Sequence, residues 1–227
     1  MAKPTVVVIG ADKGGVGKTT VSRTVLDYFK LHGVEAKAYD TEFPRGVLVR
    51  FYPNQSEVIN IEDSDDQMKV FDNLSRSAVT VIDVCAGQLS HLISLLADIG
   101  LLEMVKEEMV DIFVLHVIGS TIASFEEIEI TQKALVGAKH VIVANHTNDA
   151  AFFEGIESVA KDALSKSLRI DIPMLDPRAT EHVEASNQPF SDFEKDVAKN
   201  SFTMRGKVRT WQKAVNSQLD KVKLITG

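Results

Sequence analysis

A single cysteine, Cys85, leaves the chain without any internal disulfide, which excludes the small cross-linked secreted scaffolds and suits a reducing compartment. No apolar run approaches the length of a membrane span. The amino end, Met1-Ala2-Lys3-Pro4, runs straight into a strand-like segment and leaves no room for a signal peptide, so a cytoplasmic location is expected. There is no internal repeat, no low-complexity tract and no linker rich in Pro, Gly or Ser. His91, His116, His140 and His146 are not at metal-ligand spacing, and a lone histidine on or near a strand is a structural residue. The acidic patch Glu62-Asp63-Ser64-Asp65-Asp66 lacks the glycine and the spacing of a calcium loop and reads as the start of a helix.

What is present is ordinary for a globular protein: 227 residues, 44% hydrophobic and 25% charged, enough for one α/β domain with a full-sized core over 1–227. The net charge of −7 is uneven. From Ser201 onward six basic residues face one acid, a local +5 that leaves −12 for the rest. This basic helical segment at about 201–223 is either a solvated last helix or a face for an anionic partner. Arg205, Lys207, Arg209 and Lys213 beside Trp211 could track a DNA backbone, without reading bases and with strong salt sensitivity. The end of the segment, Gln218 to Ile225, has too little apolar face for a membrane anchor.

Apolar strand-like runs alternate with helical patterns. Strands are expected at Thr5–Gly10, Glu35–Asp40, Glu57–Ile61, Val79–Val84, Asp111–Ile118, His140–Asn145 and Leu168–Ile172. Helices are expected at Val21–Leu31, Asp65–Arg76, Leu89–Met109, Ser124–Val136 and Phe153–Ser167. Several strands are near-continuous Val/Ile runs, as in sheets buried on both faces. The alternation predicts a three-layer, doubly wound, mostly parallel sheet flanked by helices, with ligands beyond the carboxyl ends of its strands. The leucine-rich stretch from Leu89 to Leu102 reads as core packed on that sheet.

The chemistry concentrates at Lys13-Gly14-Gly15-Val16-Gly17-Lys18-Thr19-Thr20, between the first strand and the first helix. Glycines there leave backbone N–H groups free to wrap an anion, and the helix start adds unpaired N–H groups and a positive dipole end. Lys18 supplies a point charge for the β- and γ-phosphates of a nucleotide, and the Thr19 hydroxyl is placed to ligate Mg²⁺. Two strands that emerge at the same sheet edge end in acids: Asp40, followed by Glu42, and Asp83, which has the Walker-B arrangement.

Position one of the generic phosphate loop is Asp12 instead of glycine, and a lysine, Lys13, directly precedes Gly-Gly-x-Gly-Lys-Thr. In this the chain resembles the ParA/MinD family of deviant Walker-A P-loop ATPases. The resemblance implies that Lys13 reaches across a dimer interface to the partner's nucleotide. It implies that Asp40 and Glu42, at the family's Asp-x-Asp-Pro, order Mg²⁺ and the attacking water, with Pro44 displaced by one. At the family's Asp-x-Pro-x-Gly, Asp83 serves the metal through water, and Cys85 stands at the proline position. Asn145 matches the strand-end asparagine that contacts adenine, and the loop after Pro173 matches the one that lines the base. Plasmid-stability and conjugal-transfer members (StbB/TraL-like) look nearest. The implied function is an ATP switch that forms a homodimer around ATP and Mg²⁺, hydrolyses slowly, and partitions, positions or transfers DNA or another cargo. A partner protein would stimulate hydrolysis, and non-specific DNA is a possible ligand. The competing expectation is a small-molecule ligase of the dethiobiotin-synthetase type. A cluster carrier of the nitrogenase-iron-protein kind would need more thiolates than one cysteine per chain provides.

Overall fold

The structure is a computed structural model that describes residues 3–11, 13–118, 123–146 and 167–225. Seven strands form one sheet: β1 (Thr5–Gly10), β2 (Ala36–Asp40), β3 (Ser56–Val58), β4 (Val79–Asp83), β5 (Asp111–Ile118), β6 (Lys139–Asn145) and β7 (Leu168–Ile172). Their order is β3-β2-β4-β1-β5-β6-β7, and every pairing is parallel. Side chains alternate across the pleat, so β1 sends Val7 and Ile9 into one core and Val6 and Val8 into the other. Both faces are therefore buried, as the Val/Ile runs require.

On the first face lie α1 (Lys18–Leu31), α2 (Leu48–Phe51), α7 (Pro177–Ser186), α8 (Phe190–Lys195) and α9 (Phe202–Val222), all contributing to one apolar cluster. On the second face lie α3 (Ser64–Phe71), α4 (Leu89–Asp98) and α5 (Leu101–Lys106). Helix α6 (Ala123–Ala134) joins β5 to β6. The chain leaves β1 for the first face and the adjacent β4 for the second. Such a divergence opens a crevice at the carboxyl ends of the two strands.

Several boundaries move from their expected places. Helix α1 starts at Lys18, three residues earlier than expected, directly after Gly17. The third strand is Ser56–Val58 instead of Glu57–Ile61, paired with β2 alone. The expected helix Asp65–Arg76 ends at Phe71, followed by a single tighter turn at Leu74–Arg76. Its amino end is where the acidic patch placed it, with the Asp63 carboxylate accepting from the Asp65 and Asp66 N–H groups. The expected helix Leu89–Met109 is two helices, because Gly100 takes a left-handed φ of 74° that a continuous helix cannot include. Leu89, Leu92, Ile93, Leu96 and Leu101 are core, as expected, with Leu95 and Leu102 packed partly against them, whereas Ile99, expected with them, is 43% exposed. The helix expected over Phe153–Ser167 falls, but for its last residue, outside the described residues, as does Asp12.

Candidate active site

The glycine-rich loop closes on α1 through Gly17, whose φ of 86° lies in the left-handed region. No side chain caps α1 and no acid sits in its first turn, so its leading N–H groups remain for an anion. These groups line a cleft of about 230 Å³ with Gly14, Gly15, Gly17, Lys18, Thr19 and Thr20 on one side. Asp40, Glu42, Asp83 and Cys85 stand on the other. The Lys18 ammonium donates to the Lys13 carbonyl at 3.1 Å, and Lys13 itself is exposed. Asn145, at the end of β6, donates its amide to the Val16 carbonyl at 3.0 Å and the Gly17 carbonyl at 3.4 Å. Its NH₂ group therefore holds the loop.

The acids differ sharply in surroundings. Asp40 and Asp83 are register partners on β2 and β4, both 2% exposed. Both oxygens of the Asp40 carboxylate are engaged: one accepts from the Glu42 N–H at 3.0 Å, the other from the Leu48 N–H at 2.9 Å. Gly46 packs so tightly on it that a Cβ there would lie 2.6 Å from the carboxylate. Asp40 thus fastens the loop that carries Glu42, while the exposed Glu42 side chain faces the cleft.

Neither oxygen of Asp83 has a hydrogen-bond partner. Burial pushes its carboxyl up to about 7, and the Asp40 charge adds to that. The Thr19 and Ser22 hydroxyls, close by without closing a bond, and the Lys18 charge pull it back in part. A buried, unpaired acid facing a phosphate cradle and the Thr19 hydroxyl fits a divalent cation shared with a bound phosphate. Among the described residues no group of three or more His, Cys, Asp and Glu side chains could hold a metal alone.

Sequence reasoning missed Thr41. Its hydroxyl donates to Gln88 at 2.9 Å and accepts from the Cys85 N–H at 2.8 Å, and its N–H donates to the Asp83 carbonyl at 3.0 Å. It ties the loop after β2 to the loop after β4. Its only sequence signal is a hydroxyl between two acids at a strand end.

A second cavity, of about 150 Å³, shares Thr20 with the first. Its walls include Asn145, His146, Pro173, Met174, Leu175, Thr180, Glu184, Phe190 and Trp211. Pro173 and Asn145 therefore meet at one place, next to the phosphate loop. The basic segment is less open than its composition suggested. Trp211 is 6% exposed, packs on Phe190 with ring centroids 4.7 Å apart, and donates its indole N–H to the Pro173 carbonyl at 2.6 Å. It forms part of the core and offers no ring to a nucleic acid. Arg209 pairs with Glu194 at 2.6 Å, Lys207 with Asp176 at 2.5 Å, and Arg205 donates to the Asn200 and Glu194 carbonyls. Lys213 is exposed. No helix of the described residues is long and apolar enough to cross a membrane.

No protein-family model matches the chain, and no curated protein matches its sequence. Solved structures do. A nucleotide-binding protein from Archaeoglobus fulgidus, in complex with ADP, is similar with a TM-score of 0.55 at 16% identity, over 80% of this chain and 86% of that one. A ParA family ATPase from Chlorobium tepidum TLS is similar with a TM-score of 0.53 at 13% identity, over 93% and 99%. The MinD cell division protein of Aquifex aeolicus is similar with a TM-score of 0.51 at 15% identity, over 92% and 97%. At these identities the likeness concerns the fold: the chain has the P-loop NTPase architecture, of the kind seen in ParA and MinD proteins.

Proposed function

We propose that the chain is an ATP-binding, slowly hydrolysing switch that pairs with a second copy around ATP and Mg²⁺, and that partitions, positions or transfers DNA or another macromolecular cargo. The observation that carries this reading is the cleft itself: an uncapped helix start and a lysine face a buried carboxylate that has no partner of its own. Backbone N–H groups of Gly14 to Thr20 would wrap the phosphates, with Lys18 turning from the Lys13 carbonyl to the β- and γ-oxygens. Thr19 and, through water, Asp83 would hold Mg²⁺, which when bound neutralises phosphate charge. Glu42 is the carboxylate free to orient the attacking water, and Asp40 holds Glu42 in place. Exposure of Lys13, next in the chain to the cleft-lining Gly14, supports a role toward a second copy. Binding of a hydrolysis-stimulating partner protein belongs to the same reading.

The test is to size the protein without nucleotide, with ADP and with ATP, each with Mg²⁺, and with and without non-specific DNA at two salt concentrations. Dimer only with ATP is expected. Lys18→Ala should abolish nucleotide binding, and Lys13→Ala should bind ATP yet remain monomeric. A wild-type protein that binds ATP and stays monomeric throughout would refute the paired switch. DNA binding through α9 would have to break the Lys207–Asp176 and Arg209–Glu194 pairs, so DNA retention that disappears in Lys213→Ala would locate the contact there instead.

A further inference from the structure

Among the described side chains that line the second cavity, the donors other than the Thr20 hydroxyl are spent within the protein. The Asn145 amide goes to the Val16 and Gly17 carbonyls, the Trp211 indole to the Pro173 carbonyl, and the Thr180 hydroxyl to the Asp176 carbonyl at 3.2 Å. His146 is bonded to the Asp171 carboxylate at 3.0 Å. Glu184 is different. Its carboxylate is fixed by the buried Arg23, whose Nη1 donates to Oε1, and Arg23 is itself held over the rings of Phe51 and Phe190 at 3.5 and 4.2 Å. The other oxygen, Oε2, has only the Arg50 guanidinium, at 4.0 Å, beyond hydrogen-bond range. Arg50 instead donates to the Glu184 carbonyl and to Asn187, which steadies the backbone that carries the acid.

A fixed carboxylate with one oxygen to spare, in a cavity walled by Pro173, Met174, Leu175, Phe190 and Trp211, suits a flat apolar ring that bears an N–H donor. Thr20 lines both cavities, so that ring is the base of a nucleotide whose phosphates lie in the glycine-rich loop. This step rests on the proposed function. We infer that Glu184 is a specificity-determining residue: its Oε2 accepts from the exocyclic amine of adenine and disfavours bases that present a carbonyl there. A carbonyl oxygen facing Glu184 would meet like partial charge and leave both acceptors unpaired, which makes rejection stronger than the loss of one contact.

The experiment is calorimetric titration of the full chain with Mg²⁺ and four triphosphates: ATP, purine riboside triphosphate, ITP and GTP. ATP should bind about tenfold or more tightly than purine riboside triphosphate, which lacks the amine, as expected for one charge-assisted hydrogen bond. ITP and GTP should be weaker still. Glu184→Gln keeps an oxygen for Arg23 and turns an NH₂ toward the base, so its ATP-to-ITP preference should collapse or reverse. Equal affinities for ATP and purine riboside triphosphate in the wild type would overturn the assignment, as would tighter GTP or an unchanged ATP-to-ITP ratio in Glu184→Gln. Those outcomes leave the phosphate loop standing, whereas a wild-type protein that binds none of the four would remove both readings.

Discussion

Asp40 and Asp83 stand side by side on paired strands, yet one accepts a backbone N–H on each carboxylate oxygen and the other accepts none. The first holds a loop, and in the proposed function the second meets a cation from outside the chain. Asp40→Ala should keep nucleotide binding and slow hydrolysis by about an order of magnitude or more, because Glu42 loses its anchor. Gly46 makes the same point from the other side of the carboxylate. Gly46→Ala forces a Cβ against Asp40 and should destabilise the protein by roughly 1–3 kcal/mol. In the double variant the clash with Asp40 is gone and only that with Val58 Cγ2, at 2.8 Å, remains, so the two penalties should not add in full: a coupling of about 1 kcal/mol or more is expected from urea unfolding of the four proteins. Strict additivity would mean that Asp40 does not pin the loop.

Among the helices, α3, α7 and α9 close their first turns with Asp63, Asp176 and Ser201, whereas the 14-residue α1 has no such cap. An open first turn that faces a cleft reserves its N–H groups for a guest. The 21-residue α9 has a different task. It buries Val208, Trp211, Val215, Leu219 and Val222 on the first face, and through Trp211 it grips the loop that follows β7. Trp211→Phe keeps most of the apolar ring and deletes the bond to the Pro173 carbonyl. We expect a loss of about 1 kcal/mol in unfolding free energy and weaker binding of ATP, with binding of inorganic triphosphate unchanged. A variant with undiminished ATP affinity would separate α9 from the second cavity. The same helix also ties down two of its own charges, Lys207 to Asp176 and Arg209 to Glu194, a fact invisible in a residue count.

For the whole molecule, acid stability carries opposite contributions from two buried groups. Burial and the adjacent His140 lower the His116 pKa from 6.5 to about 3, and its Nε2 lies 3.1 Å from the His140 Nδ1. The unfolded chain takes up that proton below about 6.5 while the fold refuses it, so this stabilisation is full above 6.5 and drains away as pH falls toward 3. Asp83 works the other way. Its carboxyl, raised from 3.8 to about 7, stays protonated in the fold where the unfolded chain has ionised, so its contribution is full below 3.8 and is lost as pH rises to 7. Each is worth on the order of a few kcal/mol. Thermal melts of the nucleotide-free protein from pH 4 to 8 should therefore diverge by variant. Relative to wild type, His116→Gln should gain stability as pH falls below 6.5, and Asp83→Asn should gain as pH rises toward 8. Asp83→Asn should also lose any Mg²⁺-dependent stabilisation by ATP. Parallel curves for all three proteins would contradict both assignments.

The strand periodicity, the glycine-rich loop and the two strand-end acids were legible along the chain because each is local: a pleat buried on both faces writes its own run, and a phosphate cradle is contiguous backbone. Sequence alone thus determined the layered sheet, the place of the loop, and the edge at which Asp40, Glu42 and Asp83 emerge. The tertiary structure decided what no local pattern encodes. Thr41 became a bridge between two loops only because β2 and β4 pair in a given register. Trp211 turned inward because α9 lies across β7, and Glu184, on a helix more than 160 residues from Lys18, came to line the second cavity, where Arg23 reaches across to hold it. Which acid is locked and which is left unpaired is likewise a matter of what folds against it, since the two are the same residue type at matching ends of neighbouring strands.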